Sequence, residues 1–207
     1  MGSIAEDAVG SAIKALISND TSLAKKIIDG DERINTLEME IDNSIVDLLA
    51  LQQPVATDLR LILAAQKINN DLERIGDHAV NIAESVVALV RTQFSAPLLE
   101  LPKMAEIAQT MLRNALDAFI HRDSTLGKSV LVQDNVIDDL NRVMIQEVVK
   151  LMKGDLEIID GGLDLIRVSR NLERIADLAT NIAEEVIFIT EARVVKHHAE
   201  EVHSKQK

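Results

Sequence analysis

The sequence predicts an all-α protein built as two tandem, structurally similar antiparallel three-helix bundles. A repeated stretch is the first of three observations behind that expectation. Leu72-Glu73-Arg74-Ile75-Gly76-Asp77, followed by Asn81-Ile82-Ala83-Glu84, returns one hundred residues later as Leu172-Glu173-Arg174-Ile175-Ala176-Asp177, followed by Asn181-Ile182-Ala183-Glu184. Eleven of the fifteen positions from 72 to 86 are identical to their partners at 172 to 186. An offset of about half the chain marks a duplicated unit rather than a solenoid. Composition is the second observation: 47% of residues are hydrophobic but only 1% aromatic, with Phe94, Phe119 and Phe188 as the whole set. An aliphatic core of this kind suits helix-on-helix packing and leaves almost no strand signal. Third, the apolar residues recur at helical spacing along most of the chain.

Each element follows from local signals. Ile4 to Ile17 reads as an amphipathic helix, and Ser18-Asn19-Asp20-Thr21 as turn chemistry with an N-cap. A short helix through Leu23–Ile28 follows, broken or bent at Asp29-Gly30-Asp31. A long helix runs from about Asp31 to Gln52 and ends before Pro54. Thr57 with Asp58 reads as the next N-cap, opening a helix of about 35 residues to Thr92, long enough to run the height of a bundle. Gly76 lies inside it, where glycine costs about 1 kcal/mol against alanine, so close packing or ligand access is expected there. Thr92 to Pro97 reads as the linker, Pro102 as the start of the next helix, and Lys103 to Arg122 as amphipathic. Asp123-Ser124-Thr125 caps a short helix, Asp134 to Lys153 forms the next long one, and Gly154 stops it. Gly161-Gly162 is expected to interrupt the entry to the last helix, Leu163 to Arg193. The tail from Lys196 to Lys207, with His197, His198 and His203, reads as a solvated end. The expected units are residues 1–95 and 96–207, the second carrying the polar tail.

The formal net charge is −12, which argues against nucleic acid and anionic lipid as partners, since both need a basic footprint. Basic protein partners and cations remain. The chain has no cysteine, so thiolate zinc and iron–sulfur sites are excluded, and a reducing compartment fits. No run reaches 18 apolar residues and no basic, apolar leader opens the chain, so a soluble cytoplasmic protein without membrane insertion is expected.

The repeated stretch places carboxylates in pairs. Glu73 and Asp77 lie four apart on one helix face, as do Glu173 and Asp177. Like charges at that spacing cost a few tenths of a kcal/mol, so a positive charge is expected between them. Asn69, Glu73, Asp77 and Asn81 form one stripe, and Arg170, Glu173, Asp177 and Asn181 the matching one. Upstream, Asp31, Asn35, Glu38 and Asp42 share a helix face, as do Asp134, Asp138 and Asn141. Two antiparallel helices bearing such stripes would surround a hard cation such as Mg²⁺, Mn²⁺ or ferric iron. Against this stands the ordinary alternative, a solvated acidic face neutralised by Arg74, Arg174 and Lys67. Spacing leaves both open.

The residues resemble the PhoU family of phosphate transport regulators. The resemblance rests on the duplicated Glu-Arg-Ile-(Gly/Ala)-Asp segments, Gln53-Pro54 leading to Asp58-Leu59-Arg60, Asp20 with Leu23-Ala24-Lys25, and the Gly30-Asp31 step. It covers essentially the whole chain. It implies metal ions, iron first, with zinc, manganese, magnesium or nickel as alternatives, held at Glu73 and Asp77 and at Glu173 and Asp177. The facing helix would contribute Asp134 and Asp138 in the second half, and either Asp31 with Asn35 or Glu38 with Asp42 in the first; Asn81 and Asn181 are weaker candidates. It further implies a dimeric negative regulator of phosphate uptake and phosphate-starvation signalling. That regulator would bridge the ATPase subunit of an ABC phosphate transporter and a sensor histidine kinase, and would not be an enzyme. The alternatives are a metal-dependent carboxylate-cluster enzyme and a metal-free helical scaffold. The first is weakened because no Glu-x-x-His pair recurs at equivalent places and His78 is matched by Leu178.

Overall fold

The computed structural model describes residues 1–92 and 98–194. The expected linker, apart from Thr92, and the His-containing tail lie outside the described residues. Those residues form seven α-helices and no strand: α1 Gly2–Ser18, α2 Thr21–Gly30, α3 Glu32–Gln52, α4 Ala56–Arg91, α5 Leu101–His121, α6 Ser124–Gly154 and α7 Ile159–Glu191, with a 3₁₀ turn, Leu156–Ile158, before α7. None is long and apolar enough to cross a membrane.

The two halves open alike. Asp20 Oδ1 accepts from the backbone N–H groups of Ser22 and Leu23, and Asp123 Oδ1 from those of Thr125 and Leu126. Each cap satisfies donors that a helix start leaves unpaired. Aligning these two aspartates puts Asp31 on Asp134, Asn35 on Asp138 and Glu38 on Asn141. It also superposes buried residues, Ile34 on Ile137 and Ile45 on Val148.

Three expectations need correction. The short helix and the acidic helix of the second half are one continuous α6 of 31 residues; where the first half has the poor helix former Gly30, the second has Gln133. Even the α2–α3 break is a single interrupted turn, since Asp31 keeps helical angles (φ −61, ψ −36). Gly161-Gly162 does not interrupt α7 but lies inside its first turns. A Cβ at Gly162 would sit 2.8 Å from Met152 of α6, so the glycine serves close packing instead of a bend. Finally, α4 starts at Ala56 with no side-chain cap, and the Thr57 hydroxyl accepts from Arg60 Nη2 at 3.3 Å.

One apolar core runs through both halves. Leu72, Ile75, Ile82, Leu172, Ile175 and Ile182 of α4 and α7 lie at its centre, with Met104, Met111 and Leu112 of α5 against them. Full burial of such side chains contributes about 1.5–3 kcal/mol each. Helices α4 and α7 pack side by side and antiparallel: Lys67 reaches Glu185 at 2.6 Å while His78 reaches Asn171 at 2.8 Å. The helix pair that carries the repeated stretch therefore joins the two halves.

Helix α3 is held differently. It buries only Ile34 and Ile45, where the matching stretch of α6 buries Ile137, Met144 and Val148. Met39, Val46 and Leu51 of α3 are 58%, 60% and 78% exposed. Little apolar area fixes α3 against α4, so the polar residues between them weigh more in its placement.

Candidate metal centres

In the second half the structure brings acidic residues of α6 and α7 together. Carboxylate oxygens of Asp138 on α6 and of Glu173 and Asp177 on α7 lie within 4.8 Å of one another, all partly buried. That separation allows three oxygens to share one hard cation at bond lengths of about 2.0–2.6 Å. Burial, then the neighbouring carboxylates Asp177, Asp138 and Asp134, pushes the Glu173 pKa up. Burial and the charges of Asp134 and Asp138 raise Asp177 likewise. Asp134 is thus part of the same electrostatic cluster. The charge is met by Arg174, whose Nη1 donates to Asp177 Oδ2 at 2.9 Å and whose Nε lies 3.6 Å from Glu173 Oε2.

The first half gathers its charges one turn along. Asn35 stands where the second half has Asp138, and among the described residues no equally tight carboxylate trio forms there. Glu38, one turn further on α3, takes over: Glu73 is raised by burial, then by Asp77, Glu38 and Asp31. Asp77 is raised by burial and Asp31, and lowered by His78. Of the alternatives Asp31 with Asn35 and Glu38 with Asp42, Asp31 and Glu38 both raise Glu73 through their charge, and Asp42 is not among the groups that do. Asp42 stands aside, accepting from Asn69 Nδ2 at 3.0 Å. Arg74 acts on Glu73 through its charge, which partly offsets the rise, but its ion-pair partner is Asp71 at 3.6 Å. Lys67 likewise serves Glu185.

Gly76 has its reason here. A Cβ on it would meet Ile34 Cδ1 at 2.8 Å and Asp31 Oδ1 at 3.7 Å. The glycine lets the first turn of α3 close onto α4 between Glu73 and Asp77, bringing Asp31 into the cluster. Asp31 Oδ2 accepts from Asn35, but its Oδ1 is buried without a hydrogen-bond partner. A buried acceptor left unpaired costs about 1–3 kcal/mol. An all-oxygen donor set with raised pKa values and a buried, donorless carboxylate oxygen fits a hard cation.

Sequence reasoning missed the polar contacts between α4 and α7. Asp71, 7% exposed, bonds to Asn181 and lies beside Arg74; burial outweighs both and raises its pKa to about 6. At the equivalent position Asn171 Oδ1 pairs with His78 Nδ1, while its amide donates to the Arg167 carbonyl at 2.8 Å. Asn181 thus serves the interface between halves, and Asn81 contributes its carbonyl to Ser85 Oγ. A groove of about 1000 Å³ opens over this interface, lined among others by Asp42, Asp71, Arg74, Asp134, Arg174 and Asp177. The sequence signal for these contacts was the non-identity of 71 with 171 and of 78 with 178 inside an otherwise matched stretch. The stripe drawn through Arg170 also needs correction: Arg170 is exposed, and Ser169, buried, holds the place of Asn69, donating to Asn141 Oδ1 at 2.7 Å.

Fold and site together define a duplicated, all-helical protein with a carboxylate cluster in each half and a polar seam between them. The chain belongs to the PhoU family: the PhoU domain matches residues 1–86 and again 101–186. It is 39% identical over 198 residues to a phosphate-specific transport system accessory protein PhoU homolog of Pseudomonas putida, covering 95% of this chain and 77% of that one. A homolog of the same description from Aquifex aeolicus is 36% identical, covering 95% and 89%. Among solved structures, PhoU from Pseudomonas aeruginosa superposes with a TM-score of 0.91 at 38% identity, covering 93% of each chain. The phosphate transport system regulatory protein PhoU from Streptococcus pneumoniae superposes at 0.87 with 31% identity, covering 95% and 92%.

Proposed function

We propose that this protein is a cytoplasmic, dimeric negative regulator of phosphate uptake and phosphate-starvation signalling, not an enzyme. It would bridge the ATPase subunit of an ABC phosphate transporter and a sensor histidine kinase. Support comes from its family and from relatives named as accessory proteins of phosphate-specific transport. The observation that carries the mechanism is the pair of carboxylate clusters, one per half, each set between the long repeat helix and the helix before it. We assign the first cation centre to Glu73, Asp77, Asp31 and Glu38, with Asp42 at its edge, and the second to Glu173, Asp177, Asp134 and Asp138. A bound cation supplies the charge that these clusters lack. The chain's own contribution is to hold four carboxylates at each contact and, through Gly76, to bring Asp31 within reach. Because α3 has little apolar anchorage, neutralising the first cluster strengthens its seat on α4. The acidic surface meets basic patches on partners, adding steering and specificity more than affinity.

The test is elemental analysis of the native protein beside a Glu73→Ala, Asp77→Ala, Glu173→Ala, Asp177→Ala variant shown to fold. It is paired with pull-down of the transporter's ATPase subunit with and without metal. Metal in the native protein, lost in the variant together with metal-dependent capture, supports the proposal. Two metal-free proteins that capture the ATPase equally well would replace it with the metal-free scaffold.

A further inference from the structure

Two side-chain amides in the first half hold buried oxygens that no donor reaches. Asn69 on α4 is 3% exposed. Its Nδ2 donates to the Glu38 carbonyl and to Asp42 Oδ1, both at 3.0 Å, while its Oδ1 is buried without a hydrogen-bond partner. Asn35 on α3 repeats the arrangement: Nδ2 donates to Asp31 Oδ2 at 3.0 Å and Oδ1 is buried and unpartnered. Chemistry fixes both orientations, because a flipped amide would set its oxygen against a carboxylate oxygen. Each amide is therefore turned by an acidic neighbour so that its carbonyl oxygen is left over. Both stand beside the first cluster: Asn69 lies one turn before Glu73, and Asn35 one turn after Asp31.

The second half has neither feature. Asp138 replaces Asn35, and Ser169 replaces Asn69 and donates to Asn141 Oδ1. The difference between the halves is chemical, since neutral carbonyl oxygens mixed with carboxylates are the donor set of hard divalent cations. We propose that Asn35 Oδ1 and Asn69 Oδ1 complete the first centre as neutral ligands, making it a carboxylate–amide site for a hard divalent cation such as Mn²⁺ or Mg²⁺. Both centres hold four carboxylates, and the first adds two neutral amide oxygens that its counterpart lacks. The inference rests on the metal reading above.

The experiment titrates Mn²⁺ by calorimetry into metal-free protein carrying Glu173→Ala and Asp177→Ala, so that the first centre is read alone. Hydrogen exchange of α3 is followed in the same samples. Asn69→Ser, which uses the residue found at 169, and Asn35→Ala are each expected to weaken Mn²⁺ about tenfold or more. Both are expected to remove the protection that Mn²⁺ gives α3. Asn69→Asp and Asn35→Asp keep an oxygen in place and are expected to bind at least as tightly, which a merely structural amide would not produce. An Asn35→Ala, Asn69→Ser variant that binds Mn²⁺ like its parent, with α3 equally protected, overturns the inference and leaves the metal reading standing. Uptake by the intact chain but not by the Glu173→Ala, Asp177→Ala parent also overturns it. Absence of uptake by the intact chain overturns both.

Discussion

Arg174 Nη1 donates to Asp177 Oδ2 at 2.9 Å, while Arg74, its partner in the repeat, turns away from Asp77 to Asp71 at 3.6 Å. The second cluster thus carries a hydrogen-bonded counter-cation, whereas Arg74 acts on Glu73 through its charge alone. A cation at the second cluster would compete with a guanidinium bonded to Asp177; one at the first would meet Arg74 only at longer range.

Replacing Arg174 with methionine keeps the aliphatic stem and removes that competitor. Partly exposed ion pairs are worth up to about 1 kcal/mol, so Mn²⁺ affinity at the second centre should rise by about fivefold. The equivalent Arg74→Met change should raise affinity at the first centre by less, since Arg74 acts on Glu73 through its charge alone. Calorimetry on the two variants, with the opposite centre removed by alanine substitution, reads both values.

Asp71 makes stability depend on pH. Its pKa is raised from 3.8 to about 6, so the folded state binds a proton that the unfolded state has already released. Its stabilising effect is complete below about pH 4 and is lost as pH rises through 6. The variant Asp71→Asn, matching Asn171, should abolish that component. After partial screening by Arg74 and solvent, it should stabilise the metal-free protein at pH 7 by on the order of 1–2 kcal/mol. Denaturant unfolding of both proteins between pH 4 and 8 measures the difference; equal slopes would disprove the assignment.

Gly76→Ala adds a methyl 2.8 Å from Ile34 Cδ1. Overpacking costs about 1–3 kcal/mol and the helix propensity of alanine returns about 1. A net loss of about 1 kcal/mol is expected, together with weaker cation binding as α3 is displaced. Adding Ile34→Val removes the clashing methyl and should recover most of both. If Gly76→Ala alone is neutral, α3 does not depend on this close approach.

His78 ties the two halves through Asn171. Because the Asn171 amide already donates to the Arg167 carbonyl, its oxygen accepts and His78 Nδ1 carries the proton. His78→Leu, copying residue 178, leaves Asn171 Oδ1 without that donor and should cost about 1–3 kcal/mol. His78→Asn, which restores a donor, should recover part of it. Thermal unfolding of the three proteins decides.

The sequence alone determined the all-helical class, the duplication, the capping aspartates Asp20 and Asp123, and the faces on which Glu73, Asp77, Glu173 and Asp177 lie. These are one-dimensional signals: helical period, side-chain capping chemistry and spacing four apart act within a few residues. Only the tertiary structure showed that Asp31 and Glu38, one from each alternative, act on Glu73 through their charge. It alone showed Arg174 bonded to Asp177 while Arg74 pairs with Asp71, and Asp71 and Asn171 in the seam between halves. Those outcomes depend on how closely two helices approach and in which register, set by contacts such as Gly76 against Ile34. Such contacts join residues far apart in sequence, where periodicity within one helix carries no information about its neighbour.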